Sequence, residues 1–228
     1  MQLLAVIVPP PEVVRDLLEA AHRLCTTETA GSAAPSRSLA DRVLGRNRTV
    51  APAAPPTLVP VTPEAVFVRL AKFGNVTGSD ADLLARALDS VAGTWPAPVL
   101  RATGLAVAED EPHEVTARLD GDVDGLREIY RNVNEVARQQ RFFLDRRTFS
   151  SELRLGTLGV GDPTPVPAAL AGVEAPHSGP HWSPTSVTLV RASFVASGTT
   201  YAEVAQVALA PGKEDLGAGT GARPSTGA

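Results

Sequence analysis

The chain has 228 residues, 43% of them hydrophobic and 20% charged, which suits one large globular domain or two lobes of roughly 100 residues each and excludes wholesale disorder. With 21 Lys and Arg against 25 Asp and Glu the net charge is −4, so no chain-wide basic field points to nucleic acid, and any anion site must be local. The longest apolar run, Leu3 to Val8, is far short of the roughly 18 to 20 residues that cross a bilayer.

Leu3 to Val8 reads as a buried first strand, stopped by Pro9, Pro10 and Pro11. It has no basic region before it and no small-residue cleavage site after it, so a secretory signal is not expected and a cytoplasmic location is. Pro11 suits a first helical turn, and Val14, Leu17, Leu18, Ala21 and Leu24 continue at helical spacing. Residues 26–62 are rich in Thr, Ala, Ser, Pro and Gly, a composition that buries too little apolar area to offset ordering entropy, so a mobile insertion is expected there, with one helical turn at Ser38 to Leu44. Ala65 to Val76 reads as a strand. Asp80 to Ala92 reads as a helix with Ser79 or Asp80 as its N-cap. Val99 to Ala108 and Val115 to Leu119 form an expected hairpin around an acidic turn, and Leu126, Ile129, Tyr130, Val133 and Ala137 mark a helix over Val123 to Gln140. Strands are expected at Phe142 to Leu144 and Leu153 to Leu158. A turn of helix follows at 167–171, then a last strand pair at Ser186 to Phe194 and Tyr201 to Leu209, and a disordered tail over 211–228. Short connections between alternating strands and helices favour an α+β fold in a single domain over 1–210.

Few residues carry obvious chemistry. His22, His113, His177 and His181 lack ligand spacing, and the single cysteine, Cys25, supplies neither a disulfide nor a multi-cysteine site, so neither metal nor cofactor is expected. Cys25 reads as a buried inert thiol. The GAGTGA run at 217–222 lacks the strand and helix that a phosphate-binding glycine loop requires. Seven arginines between Arg127 and Arg154 outnumber four acids there, a pattern met by a solvated helix face. One internal echo stands out: Phe67-Val68-Arg69-Leu70 and Glu152-Leu153-Arg154-Leu155 share an Arg-Leu ending, each on an expected strand.

At these two strands the sequence resembles the 2H phosphoesterase superfamily, in its branch of 2'-5' RNA ligases and RNA 2',3'-cyclic phosphodiesterases. PEAVFVRLAKFGNV at 63–76 is similar to that family's P-E-x-x-H-x-T-L-x-F-x-G-x-V stretch, and FSSELRLGTL at 149–158 to its F-x-P-H-x-T-L stretch. The opening LLAVIVPPPEVVRDLLEAAHRL, the segment VTARLDGDVDGLREIYRNV and the closing strand pair extend the likeness over most of the chain. The resemblance implies a bilobal fold: two antiparallel sheets related by a pseudo-twofold axis around a central cleft, with helices outside. Each lobe would bring one H-x-T/S motif to that cleft.

The chain departs from the motif where the chemistry lies. Phe67 and Arg69 stand in place of the first His and Thr, and Glu152 and Arg154 in place of the second pair. A positioned acid or base is worth roughly 10² to 10⁴ in rate, and phenylalanine moves no proton, so two-histidine catalysis is excluded. Residues two apart on a strand share a face, so all four would line the cleft if the lobes face each other. Two guanidiniums from opposite walls would then suit a terminal phosphate of a nucleotide or RNA, with Phe67 stacking on a base. Two other readings stand beside this one. In the first, Glu152 pairs with Arg69 and closes an inert relic or protein-interaction surface. In the second, Glu152 acts as a lone general acid or base in a residual cyclic phosphodiesterase. A monomer is expected.

Overall fold

The computed structural model describes residues 1–31, 57–145, 148–159, 170–196 and 198–212. Its strands are β1 (Gln2–Ile7), β2 (Thr57–Pro60), β3 (Val68–Asn75), β4 (Leu100–Val107), β5 (Glu114–Gly121), β6 (Glu152–Gly159), β7 (Glu174–Pro176), β8 (Ser186–Val195) and β9 (Gly198–Ala208). Its helices are α1 (Pro11–Gly31), α2 (Gly78–Ala92) and α3 (Val123–Gln139). One sheet has the order β3-β1-β8-β9 and the other β2-β6-β5-β4-β7, and every pairing between these strands is antiparallel. The expected α+β architecture of two antiparallel sheets is thus present.

The helices tie the halves together. α1 leaves β1 of the four-stranded sheet and packs on β2 and β6 of the other; α3 leaves β5 of the five-stranded sheet and packs on β3 of the first. Each sheet is therefore covered by a helix from the other half, and a single apolar core runs through both. Leu3, Ala5 and Ile7 of β1, Leu17 of α1, Leu84 and Leu88 of α2, Leu126 and Ile129 of α3 and Leu153 of β6 all belong to it. The leucine and isoleucine side chains among them each contribute roughly 1.5 to 3 kcal/mol when fully buried.

Several expected boundaries move. α2 is capped by Thr77, not by Ser79 or Asp80: Thr77 Oγ1 accepts from the Asp80 amide at 3.1 Å and Asp80 Oδ2 accepts from the Thr77 amide at 3.0 Å. Asp80 is the third helical residue of that capping box, which starts the helix two residues earlier than the apolar spacing suggested. Phe142 to Leu144 is not a strand; it is irregular chain leaving α3, with Phe142 bonded back to the Ala137 carbonyl at 2.9 Å. Within the insertion expected over 26–62, residues 32–56 lie outside the described residues, while α1 continues to Gly31 and Thr57–Pro60 pairs with β6 as β2. A partner strand, rather than its own composition, orders that short Pro-rich piece. The short edge strand β7 has no counterpart among the expected elements. The helical turn at Ser38 to Leu44, most of the one at 167–171, the GAGTGA run and all but the first two residues of the tail lie outside the described residues. No described helix is long and apolar enough to cross a membrane.

Candidate phosphate-binding cleft

The echoed Arg-Leu steps share a structural device. In β3, Ala71 pairs with Ala5 and Arg69 with Val6, leaving Leu70 as an extra residue. In β6, Gly156 pairs with Val115 and Arg154 with Thr116, leaving Leu155 as the extra residue. Both are β-bulges, which insert one residue and reset the alternation of faces beyond it. Leu70 and Leu155 turn into the core, each at most 1% exposed, while Arg69 and Arg154 are exposed on the opposite faces of their strands. The four-residue repeat in the sequence therefore encodes the same local geometry in each sheet, which is the physical content of the pseudo-twofold relation.

Phe67, Arg69, Glu152 and Arg154 line one cleft of about 270 Å³ between the sheets, just below the roughly 300 to 1,000 Å³ typical of small-molecule sites. Its walls differ. On the four-stranded sheet, Leu4, Val6, Val190 and Ala192 form a second, smaller apolar cluster beneath the cleft residues Phe67 and Tyr201. Phe67 and Tyr201 lie against it, their rings edge to face with centroids 5.1 Å apart. On the five-stranded sheet the lining is polar: Glu114, Thr116, Glu152 and Arg154, with Ser150 just ahead of β6.

The polar wall is already internally bonded. Arg154 forms an ion pair with Glu114 on β5 at 3.1 Å, with both side chains about half exposed (51% and 42%). Glu152 accepts a hydrogen bond from Ser150 Oγ at 3.2 Å. The cationic lining of Arg69, Lys72 and Arg154 is balanced by Glu114, Asp145 and Glu152, so an incoming anion would compete with local carboxylates rather than meet a bare positive pocket.

Some cleft residues escape a reading by alternation. Lys72 is three residues after Arg69, which in a regular strand would point it to the other face; the bulge at Leu70 restores it to the cleft. Asn134 of α3 is buried at 6% exposure, and its Nδ2 donates to the Leu70 carbonyl at 3.2 Å and to the Tyr130 carbonyl at 2.6 Å. It pins the bulge that aims Arg69. The i to i+4 step from Tyr130 to Asn134 was legible as one helix face, but nothing in the sequence marked that face as meeting β3. Glu114, Thr116 and Tyr201 enter from β5 and β9 only through the sheet pairing.

The set-aside residues lie elsewhere. None of the four histidines lines the cleft. His177 Nε2 contacts Asp16 Oδ2 at 3.0 Å, tying the chain after β7 to α1, His113 Nδ1 contacts the Ala108 carbonyl at 3.0 Å, and His22 and His181 line other surface grooves. Cys25 is buried in the main core. Among the described residues no cluster of His, Cys, Asp or Glu could hold a metal ion.

Neither a family model nor a curated protein matches this sequence. Solved structures do match in fold. TT0787 of Thermus thermophilus superposes with a TM-score of 0.62 at 15% identity, over 93% of this chain and 100% of that one. E. coli LigT complexed with ATP gives 0.60 at 15% identity, over 92% and 98%. A structure described as a phosphoesterase gives 0.62 at 16% identity, over 92% and 98%. LigT has further been solved with 3'-AMP, NADP+ and phosphate. The chain thus shares the fold of these proteins along nearly its whole length.

Proposed function

We propose that the cleft binds the terminal phosphate of a nucleotide or RNA and does not turn it over by the paired-histidine route. The observation that carries this reading is the convergence of Phe67, Arg69, Glu152 and Arg154 on one cleft with an aromatic wall and a charged wall. A nucleotide has the same two-sided character. Its base suits the Phe67 and Tyr201 side, and its phosphate suits the guanidinium forks of Arg69 and Arg154. The nucleotide and phosphate complexes of LigT support this by likeness of fold. In this reading the protein acts as a cytoplasmic monomer and needs neither metal nor cofactor.

The second reading is a ligand-free structural or interaction role, favoured by the Arg154 to Glu114 ion pair and the balanced charge of the lining. Calorimetric titration with 3'-AMP separates the two. Under the binding reading the wild type binds, and Arg69→Ala and Arg154→Ala each weaken affinity and lower its salt dependence; absence of any binding selects the second reading. A phosphorus NMR time course with a 2',3'-cyclic nucleotide tests turnover. New phosphomonoester signal that is lost in Glu152→Gln would overturn the non-catalytic reading and assign Glu152 as a lone acid or base.

A further inference from the structure

The face of β6 that carries Arg154 offers it two carboxylates. Glu152 lies two residues back on the same strand. On β5 the same face carries Glu114, Thr116 and Arg118, since Val115, Ala117 and Leu119 are buried. The register sets Arg154 opposite Thr116 and Glu152 opposite Arg118, so the direct cross-strand ion pair on this face would join Arg118 to Glu152. It is not the one formed. Arg118 bonds Glu174 of β7 at 3.1 Å, and Glu152 accepts from Ser150 Oγ at 3.2 Å. Arg154 instead reaches diagonally, placing Nη2 at 3.1 Å from Glu114 Oε1, across a backbone separation of roughly 7 to 8 Å that long side chains close.

That contact lies inside the cleft, because Glu114 and Arg154 both line it. A guanidinium fork suits the oxygens of a carboxylate and of a phosphate alike, so the Glu114 carboxylate holds the place on Arg154 that a ligand's phosphate would take. Arg118 and Glu174 form the comparison: the same residue types at the same 3.1 Å on the same sheet, with neither among the residues that line the cleft. A phosphate arriving at Arg154 has to displace one carboxylate and then sit beside it. Both members of the pair are about half exposed, where solvent screens their attraction, so each of these two effects is worth a few-fold in affinity rather than orders of magnitude.

We propose that Glu114 makes an autoinhibitory contact: its carboxylate occupies Arg154 until an anion displaces it, which lowers the affinity of the cleft for phosphate. This rests on the phosphate-binding reading of the cleft. The test is calorimetric titration of 3'-AMP, and separately of inorganic phosphate, into the wild type, Glu114→Gln, Glu174→Gln, and Arg154→Ala with and without Glu114→Gln. Glu114→Gln is expected to tighten binding of both ligands by roughly 3- to 20-fold, a gain that shrinks at high salt as the exposed charges are screened. Glu174→Gln removes the same charge from the same sheet outside the cleft lining, and is expected to stay within about twofold of wild type. In the Arg154→Ala background the gain from Glu114→Gln is expected to fall, because the contact it releases is already gone. Affinity of Glu114→Gln within about twofold of wild type overturns the proposal. So does a gain of equal size in the Arg154→Ala background, since Glu114 would then act only as a remote charge. Either result leaves the phosphate reading standing when Arg154→Ala by itself weakens binding. Failure of both ligands to bind the wild type and every variant overturns both.

Discussion

Replacing Asn134 by alanine tests whether α3 holds the bulge that presents Arg69. The side chain is buried and its Nδ2 makes two hydrogen bonds, to the carbonyls of Leu70 and Tyr130. The Tyr130 carbonyl is also the acceptor for the backbone amide of a residue four later in the helix, so its loss is partial. The Leu70 carbonyl belongs to the extra residue of a bulge, where the regular ladder is interrupted. Leaving a buried acceptor unmet costs about 1 to 3 kcal/mol, and removing the amide group itself adds a small void. A loss of about 2 kcal/mol corresponds to roughly 4 to 8 °C in Tm for a chain of this size. Urea unfolding followed by circular dichroism measures the first quantity and a thermal melt the second. The same variant should also weaken 3'-AMP binding, since Arg69 follows the bulge. Stability within about 0.5 kcal/mol of wild type, the scatter of an ordinary surface substitution, would refute the argument that Asn134 pins β3.

Arg154→Ala should barely change stability, by less than about 1 kcal/mol in urea, because its ion pair with Glu114 is half exposed and screened; a larger loss would mean the pair is structural. Gly156→Ala should destabilise by about 1 to 3 kcal/mol, since an added Cβ would stand 2.5 Å from the Val59 carbonyl and force β2 off β6; an unchanged urea midpoint would show that β2 yields freely. The α2 cap predicts a pH dependence. The hydroxyl and then the amide of Thr77 hold the Asp80 carboxyl below its usual 3.8. A lowered folded value gives stability that is present above the unfolded pKa and lost as pH falls through the folded one. The difference between wild type and Thr77→Ala, about 1 kcal/mol at neutral pH, should therefore shrink below about pH 4; a difference that stays constant to pH 2 would rule out Asp80 as the partner.

The sequence by itself determined most of the elements. Its local signals survive because they are local: the apolar spacing of α3, the proline stop after β1 and the hairpin of β4 and β5 depend on neighbours a few residues away. The two Arg-Leu echoes also placed Phe67, Arg69, Glu152 and Arg154 on strands that do line one cleft. Tertiary structure decided the rest. Composition marked Thr57–Pro60 as loose, yet pairing with β6 makes it a strand, and Phe142 to Leu144 has strand-forming residues but no partner strand. The bulges at Leu70 and Leu155 are invisible to a count of alternating residues, which therefore marks neither the cleft-facing side of Lys72 nor the contact of Asn134 with β3. Which residue answers Arg154 depends on β5 lying beside β6, and a period of two along one strand carries no information about the strand next to it.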